Sequence, residues 1–187
     1  LGLAIPLVVS VSTTIAARNG LLIRDRSAFE AARNIQAIVF DKTGTLTLGS
    51  FGITDVLIFN ERYSREELLK ITASIEAYSE HPIAKAIAQS VEVKYEVKDF
   101  HAIPGKGAEA LLNDQRVKIV SPGYIIEKAL PFEMKSIESL SSVGKTVVFI
   151  LFEEELIGAI ALADIIRPES KQAIEGLKSF NIRTIML

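Results

Sequence analysis

Residues 34–47 read NIQAIVFDKTGTLT, and this stretch decides the fold. The apolar run over residues 34–40 stops abruptly at Asp41, and small and hydroxyl-bearing residues follow it. Such a run predicts a buried strand that delivers an acid into a loop. Open α/β sheets bind their ligands at that end of their strands. Asp41 is therefore the first candidate for a functional residue.

The loop after this strand has the composition of a phosphoryl-transfer site. A carboxylate such as Asp41 can attack a phosphoryl group when cations and N–H donors neutralise the charge on the transferred oxygens. Lys42 adds positive charge, and Gly44 allows a tight turn. The amides around Thr43 and Thr45 could form an anion-binding concavity. The alternative is an ordinary strand-to-turn junction that uses Asp, Thr and Gly as turn formers.

The composition of the 187 residues excludes several classes of protein. Hydrophobic residues make up 49% and charged residues 24%, so the chain can bury a core and is not of the disordered class. The formal net charge of −2 gives no basic field, and we expect no nucleic-acid partner. The absence of Cys excludes disulfides, thiolate catalysis and Cys-based zinc sites.

The first 17 residues carry no charged side chain, and four arginines occur between positions 18 and 33. This order is the reverse of that in a secretory signal. The apolar stretch has the lower length limit of a membrane span, and the basic residues after it predict a cytoplasmic location for the rest of the chain. We interpret residues 1–34 as the end of a transmembrane helix and a cytoplasmic linker. The alternative is a buried helix of a soluble protein, because Pro6 and four Ser or Thr residues dilute the apolar character.

The middle of the chain has the pattern of an antiparallel α+β domain. Ser64 and Glu67 form a capping box before a helical apolar pattern, and Pro82 suits the first turn of a second helix. Apolar and alternating runs, two pairs of which flank turn residues, predict strands over residues 91–97, 108–112, 116–120, 146–152 and 156–162.

The end of the chain returns to the parallel pattern of its first strand. A helix is predicted from Pro168 to Asn181, followed by an apolar strand over residues 182–187. We therefore predict a parallel βαβ domain made of residues 35–49 and 159–187, interrupted by an antiparallel domain over residues 50–158. The loop after the last strand, which would line the ligand crevice, is expected to lie beyond this sequence.

The heptapeptide DKTGTLT at residues 41–47 resembles the phosphorylation motif of the P-type ATPases. The resemblance implies a partial haloacid-dehalogenase-like Rossmannoid domain in which ATP phosphorylates Asp41, with Lys42 and Thr43 as its catalytic neighbours. It also implies Mg²⁺ held by the Asp41 carboxylate and the main-chain oxygen of Thr43, with a third ligand beyond the C-terminus. Related phosphatases carry a general acid/base Asp at the position of Thr43. Since Thr cannot act as that base near neutral pH, the acyl phosphate is expected to persist.

Residues 75–87, IEAYSEHPIAKAI, resemble the Ser-Glu-His-Pro signature of the heavy-metal class of these ATPases. The resemblance implies that this is a nucleotide-binding domain in which His81 contacts the adenine ring and Glu76 helps to hold the purine. Stacking of an imidazole on a base and a carboxylate that accepts from an exocyclic amine are plausible chemistry for both. Taken alone, His81 could equally be only the cap of the helix at Pro82.

Three glycine-containing loops come next, in the order that the same class has. PGKGA at residues 104–108 resembles its Gly-x-Gly nucleotide loop, which implicates Gly105 and Gly107, although a hairpin entry would use the same residues. Gly123 lies where relatives have a Gly-Asn pair, but Tyr124 follows it here, which puts a polar side-chain contact in doubt. Gly-Lys-Thr at residues 144–146 resembles another loop of the family, and a simple turn before a strand is the alternative.

Asp164 and Arg167 resemble the hinge at which the inserted domain rejoins the phosphorylation domain, and helix capping before Pro168 is compatible with that role.

His101 lacks an acid at useful spacing and is interpreted as a loop or edge residue. LGLAIP at residues 1–6 resembles the segment directly after the intramembrane Cys-Pro-His metal site of copper exporters.

Together these resemblances imply the ATP-binding and phosphorylation region of a multi-pass membrane pump. We expect ATP, ADP and Mg²⁺ as its ligands, and copper as a cargo bound outside this chain. A zinc, cadmium or lead pump, a soluble phosphatase of the related fold, and a nucleotide-sensing module without catalysis are the alternatives.

Overall fold

The computed structural model describes residues 4–92, 94–131 and 135–187. Its helices are α1 Ala4–Arg18, α2 Arg26–Ala31, α3 Arg65–Glu76, α4 Pro82–Ala88, α5 Pro122–Glu127, α6 Lys135–Ser142 and α7 Pro168–Ser179. Its strands are β1 Ala37–Phe40, β2 Thr47–Ile58, β3 Val97–Ile103, β4 Gly107–Leu112, β5 Gln115–Val120, β6 Thr146–Phe152, β7 Glu155–Ile166 and β8 Arg183–Met186. The chain divides into two compact units, one of residues up to Phe40 and from Lys171 onward, the other Asp41–Ser170.

The first unit contains a small parallel sheet. Strand β1 pairs in parallel with β8, from Ala37 opposite Arg183 to Phe40 opposite Met186. The predicted strand–helix–strand pattern of this part is therefore present in the structure. Within the described residues, no helix combines the length and the apolarity needed to cross a membrane. The first three residues of the LGLAIP segment lie outside the described residues.

The second unit is built on an antiparallel sheet in the order β2-β7-β6-β5-β4-β3, counted over the described residues. The predicted hairpins are present. Asn113 and Asp114 turn β4 into β5 with φ of 53° and 61°, and Glu153 and Glu154 turn β6 into β7 with φ of 48° and 67°. Two successive left-handed residues are typical of the turn whose twist matches that of paired strands.

Strands β6 and β7 are largely buried on both faces, which explains why they read as nearly continuous apolar runs. Helix α3 packs over one face, where Leu68 and Ile75 are fully buried with Ile150 and Ile160. The other face carries the cluster of Val120, Tyr124, Ile125, Val147, Phe149, Leu151, Ala159 and Ala161.

The two predicted helix starts are confirmed. The Ser64 side chain accepts from the Glu67 amide, and the Glu67 carboxylate accepts from the Ser64 amide, which completes the capping box of α3. Helix α4 begins at Pro82 with His81 as its N-cap.

The predicted strand over residues 91–97 is wrong. Residues 94–96 lie outside any strand, Val93 lies outside the described residues, and β3 begins only at Val97. The amide of Tyr95 donates to the Ser74 hydroxyl over 2.8 Å, and the ammonium of Lys70 lies 4.4 Å from the centre of the Tyr95 ring. The alternating pattern therefore reflects packing on helix α3, because the backbone here bonds to a helix side chain and not to a strand.

Strand β2 was not predicted, although it is one of the two longest strands in the described chain. It pairs with β7 from Thr47 opposite Ile166 to Ile58 opposite Gly158, and its register shifts twice. The bulges and its two glycines interrupt the alternation that would have indicated a strand. The predicted domain boundaries at 49/50 and 158/159 fall inside β2 and β7, and those boundaries stay a prediction.

Candidate functional site

The first candidate site is the loop that follows β1. Asp41 has extended backbone angles, φ −69° and ψ 140°, and its side chain is exposed. Thr43 is also extended, and Gly44 has φ of +78°, a left-handed conformation that glycine adopts without steric cost. The sequence-predicted tight turn at Gly44 is therefore present, and it leaves the Asp41 carboxylate at the surface.

Thr47 holds this loop in shape. Its side chain is buried, and its hydroxyl oxygen accepts from the Gly44 amide over 3.2 Å. The same oxygen lies 2.5 Å from Oδ2 of Asp164 and 3.0 Å from the carbonyl oxygen of Lys42. A hydroxyl has one proton, so Thr47 donates to the closer, charged carboxylate. The loop is thereby connected to a residue 117 positions away.

Arg167 holds the same loop from the other side. Its Nε donates to the carbonyl of Thr47 over 3.1 Å, its Nη2 donates to the carbonyl of Gly44 over 3.2 Å, and its amide donates to the carbonyl of Leu46 over 3.0 Å. The hydroxyl of Ser170 also donates to the Leu46 carbonyl, over 2.8 Å. The predicted hinge residues Asp164 and Arg167 therefore contact the loop that carries Asp41.

Thr47 and Ser170 were not among the predicted site residues. Thr47 belongs to the DKTGTLT heptapeptide, and its place in that motif was a usable signal. Ser170 could not be found from sequence, because its partner lies 124 positions away.

The remaining oxygen of Asp164, Oδ1, is buried and has no hydrogen-bond partner among the described residues. The described residues also contain no group of three or more His, Cys, Asp or Glu side chains that could hold a metal ion by themselves. A magnesium ion does not need such a group, since it is usually bound by one or two carboxylates together with phosphate and water. The hard oxygen donors of Asp41 and Thr43 fit that chemistry.

The second candidate site is a cavity of about 650 Å³ at one end of the six-stranded sheet. Of the five predicted nucleotide-binding residues, Glu76, His81, Gly105 and Gly107 line it. Gly123 does not line the cavity, although Ser121 and Pro122 just before it do. The loops before β4 and β6 and after β5 meet here because these strands alternate in direction. Asp41 is not part of the cavity wall.

Glu76 ends helix α3 and is 7% exposed. Burial raises the pKa of its carboxyl from 4.5 to about 7, because the charged form loses its water. Near neutral pH a large fraction of Glu76 therefore keeps its proton. In that form the side chain can both donate and accept a hydrogen bond.

His81 caps helix α4 and also lines the cavity. Its Nδ1 accepts from the amide of Ile83 over 3.3 Å and caps α4, so the helix-cap interpretation is correct as far as it goes. The ring is also exposed and forms part of the cavity wall. With Nδ1 as an acceptor, the proton of the neutral ring is on Nε2.

Gly105 and Gly107 favour glycine for different physical reasons. A Cβ at Gly107 would lie 1.9 Å from the carbonyl oxygen of Ile119, and its φ is +144°. No other residue fits there without displacement of the neighbouring strand. A Cβ at Gly105 would meet nothing within 4 Å, and only its φ of +70° favours glycine. The loop is also fixed by the amide of Ser121, which donates to the Lys106 carbonyl over 2.8 Å.

Comparison with known proteins shows the family. A profile for haloacid dehalogenase-like hydrolases matches residues 35–187. The whole chain is 57% identical to part of copper-exporting P-type ATPase B of Archaeoglobus fulgidus and 40% identical to part of copper-exporting P-type ATPase B of Enterococcus hirae, covering 27% and 26% of those proteins. The chain thus spans about a quarter of the length of these curated relatives.

Solved structures of ATPases also match this chain. A crystal structure of a zinc-transporting PIB-type ATPase in its E2.Pi state matches 95% of this chain, over 30% of its own length, with a TM-score of 0.86 and 31% identity. A structure of the catalytic domain of the CPx-ATPase CopB-B, described with its conformational changes on nucleotide binding, matches 88% of this chain and 58% of its own length, with a TM-score of 0.58 and 28% identity.

The chain belongs to the haloacid dehalogenase-like hydrolases, and within them it corresponds to the catalytic region of the heavy-metal P-type ATPases. The predicted family and fold class are thereby confirmed. The roles of individual site residues stay predictions.

Proposed function

We propose that this chain is the ATP-binding and phosphorylation region of a P-type ATPase that exports copper, situated on the cytoplasmic side of the membrane. The copper assignment draws on the two relatives that are named as copper exporters and on the LGLAIP segment. The observation that supports nucleotide binding best is the cavity that Glu76 and His81 share with the glycine loop.

The chemistry of this cavity suits an adenine base. The Watson–Crick edge of adenine presents an acceptor at N1 beside the donor amine at N6. A protonated Glu76 carboxyl can donate to the first and accept from the second. The His81 ring can stack on the base while its Nδ1 continues to cap α4. The main chain at Gly105 and Gly107 forms another part of the cavity wall.

The reaction proposed for Asp41 is phosphoryl transfer. Its carboxylate oxygen attacks the γ-phosphorus of ATP. The bond between that phosphorus and the oxygen that bridges it to the β-phosphorus breaks, and ADP leaves with the electron pair. The product is an acyl phosphate on Asp41. Lys42 supplies positive charge beside it. Thr43 cannot act as a general base near neutral pH, so the acyl phosphate outlives the transfer step and can drive a conformational change.

Magnesium, when bound, would neutralise charge on the transferred phosphoryl group, held by the Asp41 carboxylate and the main-chain oxygen of Thr43. The hydrogen bonds from Gly44 and Arg167 keep this loop in one conformation. Since Asp41 does not line the cavity, the γ-phosphate must be carried to it, and Asp164 and Arg167 lie where such a movement would act on the loop.

Calorimetric titration tests nucleotide binding. The wild-type chain should bind ATP and ADP, and His81→Ala should bind them more weakly. His101→Ala is the matched control, because His101 lies on β3 and is not among the residues that line this cavity. Equal affinities in the wild type and His81→Ala would remove His81 from the site.

Phosphorylation is tested in the full-length pump. Incubation with γ-labelled ATP should give acid-stable label that Asp41→Asn abolishes. Steady hydrolysis of simple phosphate esters with no labelled enzyme would instead support a soluble-type phosphatase.

Zinc is the second candidate cargo, because the matched crystal structure with a TM-score of 0.86 is that of a zinc-transporting ATPase. Stimulation of ATP hydrolysis by Cu⁺ or by Zn²⁺ in the full-length pump separates the two proposals.

A further inference from the structure

Among the described residues that line the cavity, Glu76 is the only carboxyl, and its hydrogen-bonding capacity is unused. The residue is more than nine-tenths buried, and no donor among the described residues bonds to its side-chain oxygens. Burial is the cause that raises the pKa of this carboxyl, and no cation in the described part of the chain opposes it. Because buried polar groups of folded proteins are normally hydrogen-bonded, this side chain is available to a ligand in the cavity.

The other charged or titratable groups in the described cavity wall are His81, Lys106 and Lys145. The ammonium of Lys106 lies 2.7 Å from Oε2 of Glu127, and the ammonium of Lys145 lies 2.6 Å from Oδ2 of Asp55. Each lysine is thus paired with a carboxylate outside the cavity wall. Neither lysine is needed as the counter-ion of the buried acid.

Helix α3, which Glu76 ends, packs against α4 and against strands β2, β3 and β4. The ionisable side chains on those elements are Lys85 on α4, Asp55 on β2, Lys98, Asp99 and His101 on β3, and Glu109 on β4. Lys85 and Lys98 are paired with Glu80 and Asp114 over 2.5 Å and 3.8 Å. Asp99, His101 and Glu109 line a different pocket. The proton of Glu76 therefore depends on burial and on what binds beside it.

The two protonation states of this carboxyl have different hydrogen-bonding patterns. The protonated form has one donor and one acceptor, which match the N1 acceptor and the N6 amine of adenine. The ionised form only accepts, which matches the two neighbouring donors of guanine at N1 and N2. Facing N1 of adenine, the ionised form would oppose two lone pairs. Stacking on the His81 ring does not separate the bases, because every base has a π-face.

We propose that the proton on Glu76 determines which purine nucleotide the cavity binds, adenine nucleotides when the carboxyl is protonated and guanine nucleotides when it is ionised. The inference rests on the proposed nucleotide-binding function. ATP binding then favours the protonated form and weakens as pH rises. GTP binding favours the ionised form and strengthens over the same interval.

The size of the effect follows from the protonated fraction of Glu76. With a pKa of about 7, this fraction falls from about 0.9 at pH 6 to about 0.1 at pH 8. An apparent dissociation constant equals the intrinsic one divided by the fraction of protein in the binding form. The dissociation constant of ATP should therefore rise about tenfold between these pH values, and that of GTP should fall. The phosphates also titrate, but they are common to both nucleotides and cancel from the ratio of the two constants.

The test is calorimetric titration of ATP and of GTP into the 187-residue chain at pH 6, 7 and 8. In the wild type the preference for ATP over GTP should fall by at least about tenfold from pH 6 to pH 8. Glu76→Gln has the donor and the acceptor of the protonated form at every pH, so its preference for ATP should not change with pH. Glu96→Gln removes an exposed acid outside the cavity wall and should behave like the wild type.

A second measurement uses only the wild-type chain, so misfolding of a variant does not affect it. The titrations are repeated in two buffers of different ionisation enthalpy, which gives the number of protons bound with each nucleotide. ATP binding should take up about one proton more than GTP binding at each pH.

Three results would overturn the proposal: a constant ATP-to-GTP ratio in the wild type, equal proton uptake with both nucleotides, or the wild-type pH dependence in Glu76→Gln. Absence of GTP binding at pH 8, with ATP still bound, also overturns it and leaves the proposed function standing. If the wild type binds neither nucleotide at any pH, the proposed function itself fails.

Discussion

The buried carboxyl of Glu76 makes the stability of this chain depend on pH in a way that one substitution removes. In the folded chain its pKa is about 7, compared with 4.5 when it is exposed. Below pH 4.5 both states keep the proton, and Glu76 has no pH-dependent effect. Between pH 4.5 and about 7 the unfolded chain releases the proton while the folded chain retains it, so stability falls as pH rises. Above about pH 7 both states are ionised and the loss is complete.

The size of this loss in the free energy of unfolding follows from the interval between the two pKa values of Glu76. Each pH unit between the two pKa values costs about 1.4 kcal/mol, so the whole interval amounts to about 3 kcal/mol. Glu76→Gln has nearly the same shape and cannot ionise. The free energy of unfolding of Glu76→Gln, minus that of the wild type, should therefore grow by about 3 kcal/mol between about pH 4 and pH 8.

Urea denaturation followed by circular dichroism, at half-unit pH steps, measures this difference. Other titrating groups cancel because they are common to both chains. Glu96→Gln serves as a control, since Glu96 is exposed and is not part of the cavity wall. A wild-type curve parallel to that of Glu76→Gln over the whole range would refute the reasoning. It would mean that the Glu76 carboxyl is not desolvated in the folded chain.

Three further substitutions have outcomes that the structure sets. Gly107→Ala should destabilise the chain by about 3 kcal/mol or more, because its Cβ would overlap the Ile119 carbonyl, whereas Gly105→Ala should cost only about 1 kcal/mol in the same urea titration. Equal effects of the two would contradict the steric argument. Thr47→Val should cost about 2 kcal/mol, because it leaves the half-buried Asp164 carboxylate without the donor to its Oδ2. Hydrogen exchange at the Gly44 amide should accelerate in that variant, and unchanged exchange would argue against the role given to Thr47.

The sequence predicted the parts of this fold that depend on local signals. The capping box at Ser64, the Pro82 helix start and the hairpin at Asn113 are each specified by residues within a few positions of one another. The strand over residues 91–97 was wrong because alternation indicates an amphipathic face and not the partner of that face, and here the partner of Tyr95 is a helix. Strand β2 was missed because its bulges interrupt the alternation.

Some residues of the candidate site could likewise be predicted from local signals, and others could not. Asp41 and Gly44 could be predicted because strand end, acid and glycine lie within a few residues of one another. The contacts of Thr47 and Arg167 could not be predicted in detail, since they join loop and strand across more than a hundred residues. The ammonium of Lys145 lies 2.6 Å from Oδ2 of Asp55, and this contact depends on the register of three neighbouring strands, which no local pattern encodes.

The bond between Thr47 and Asp164 also bears on the order of folding. The loop that carries Asp41 is synthesised before its supports at Asp164, Arg167 and Ser170, which leave the ribosome more than a hundred residues later. Contacts of such long sequence separation form slowly, because a large loop must close first. The segment around Asp41 therefore gains its shape only after the intervening sheet is made. A nascent chain that stalls before Asp164 carries the Asp41 carboxylate without the scaffold that would make it useful.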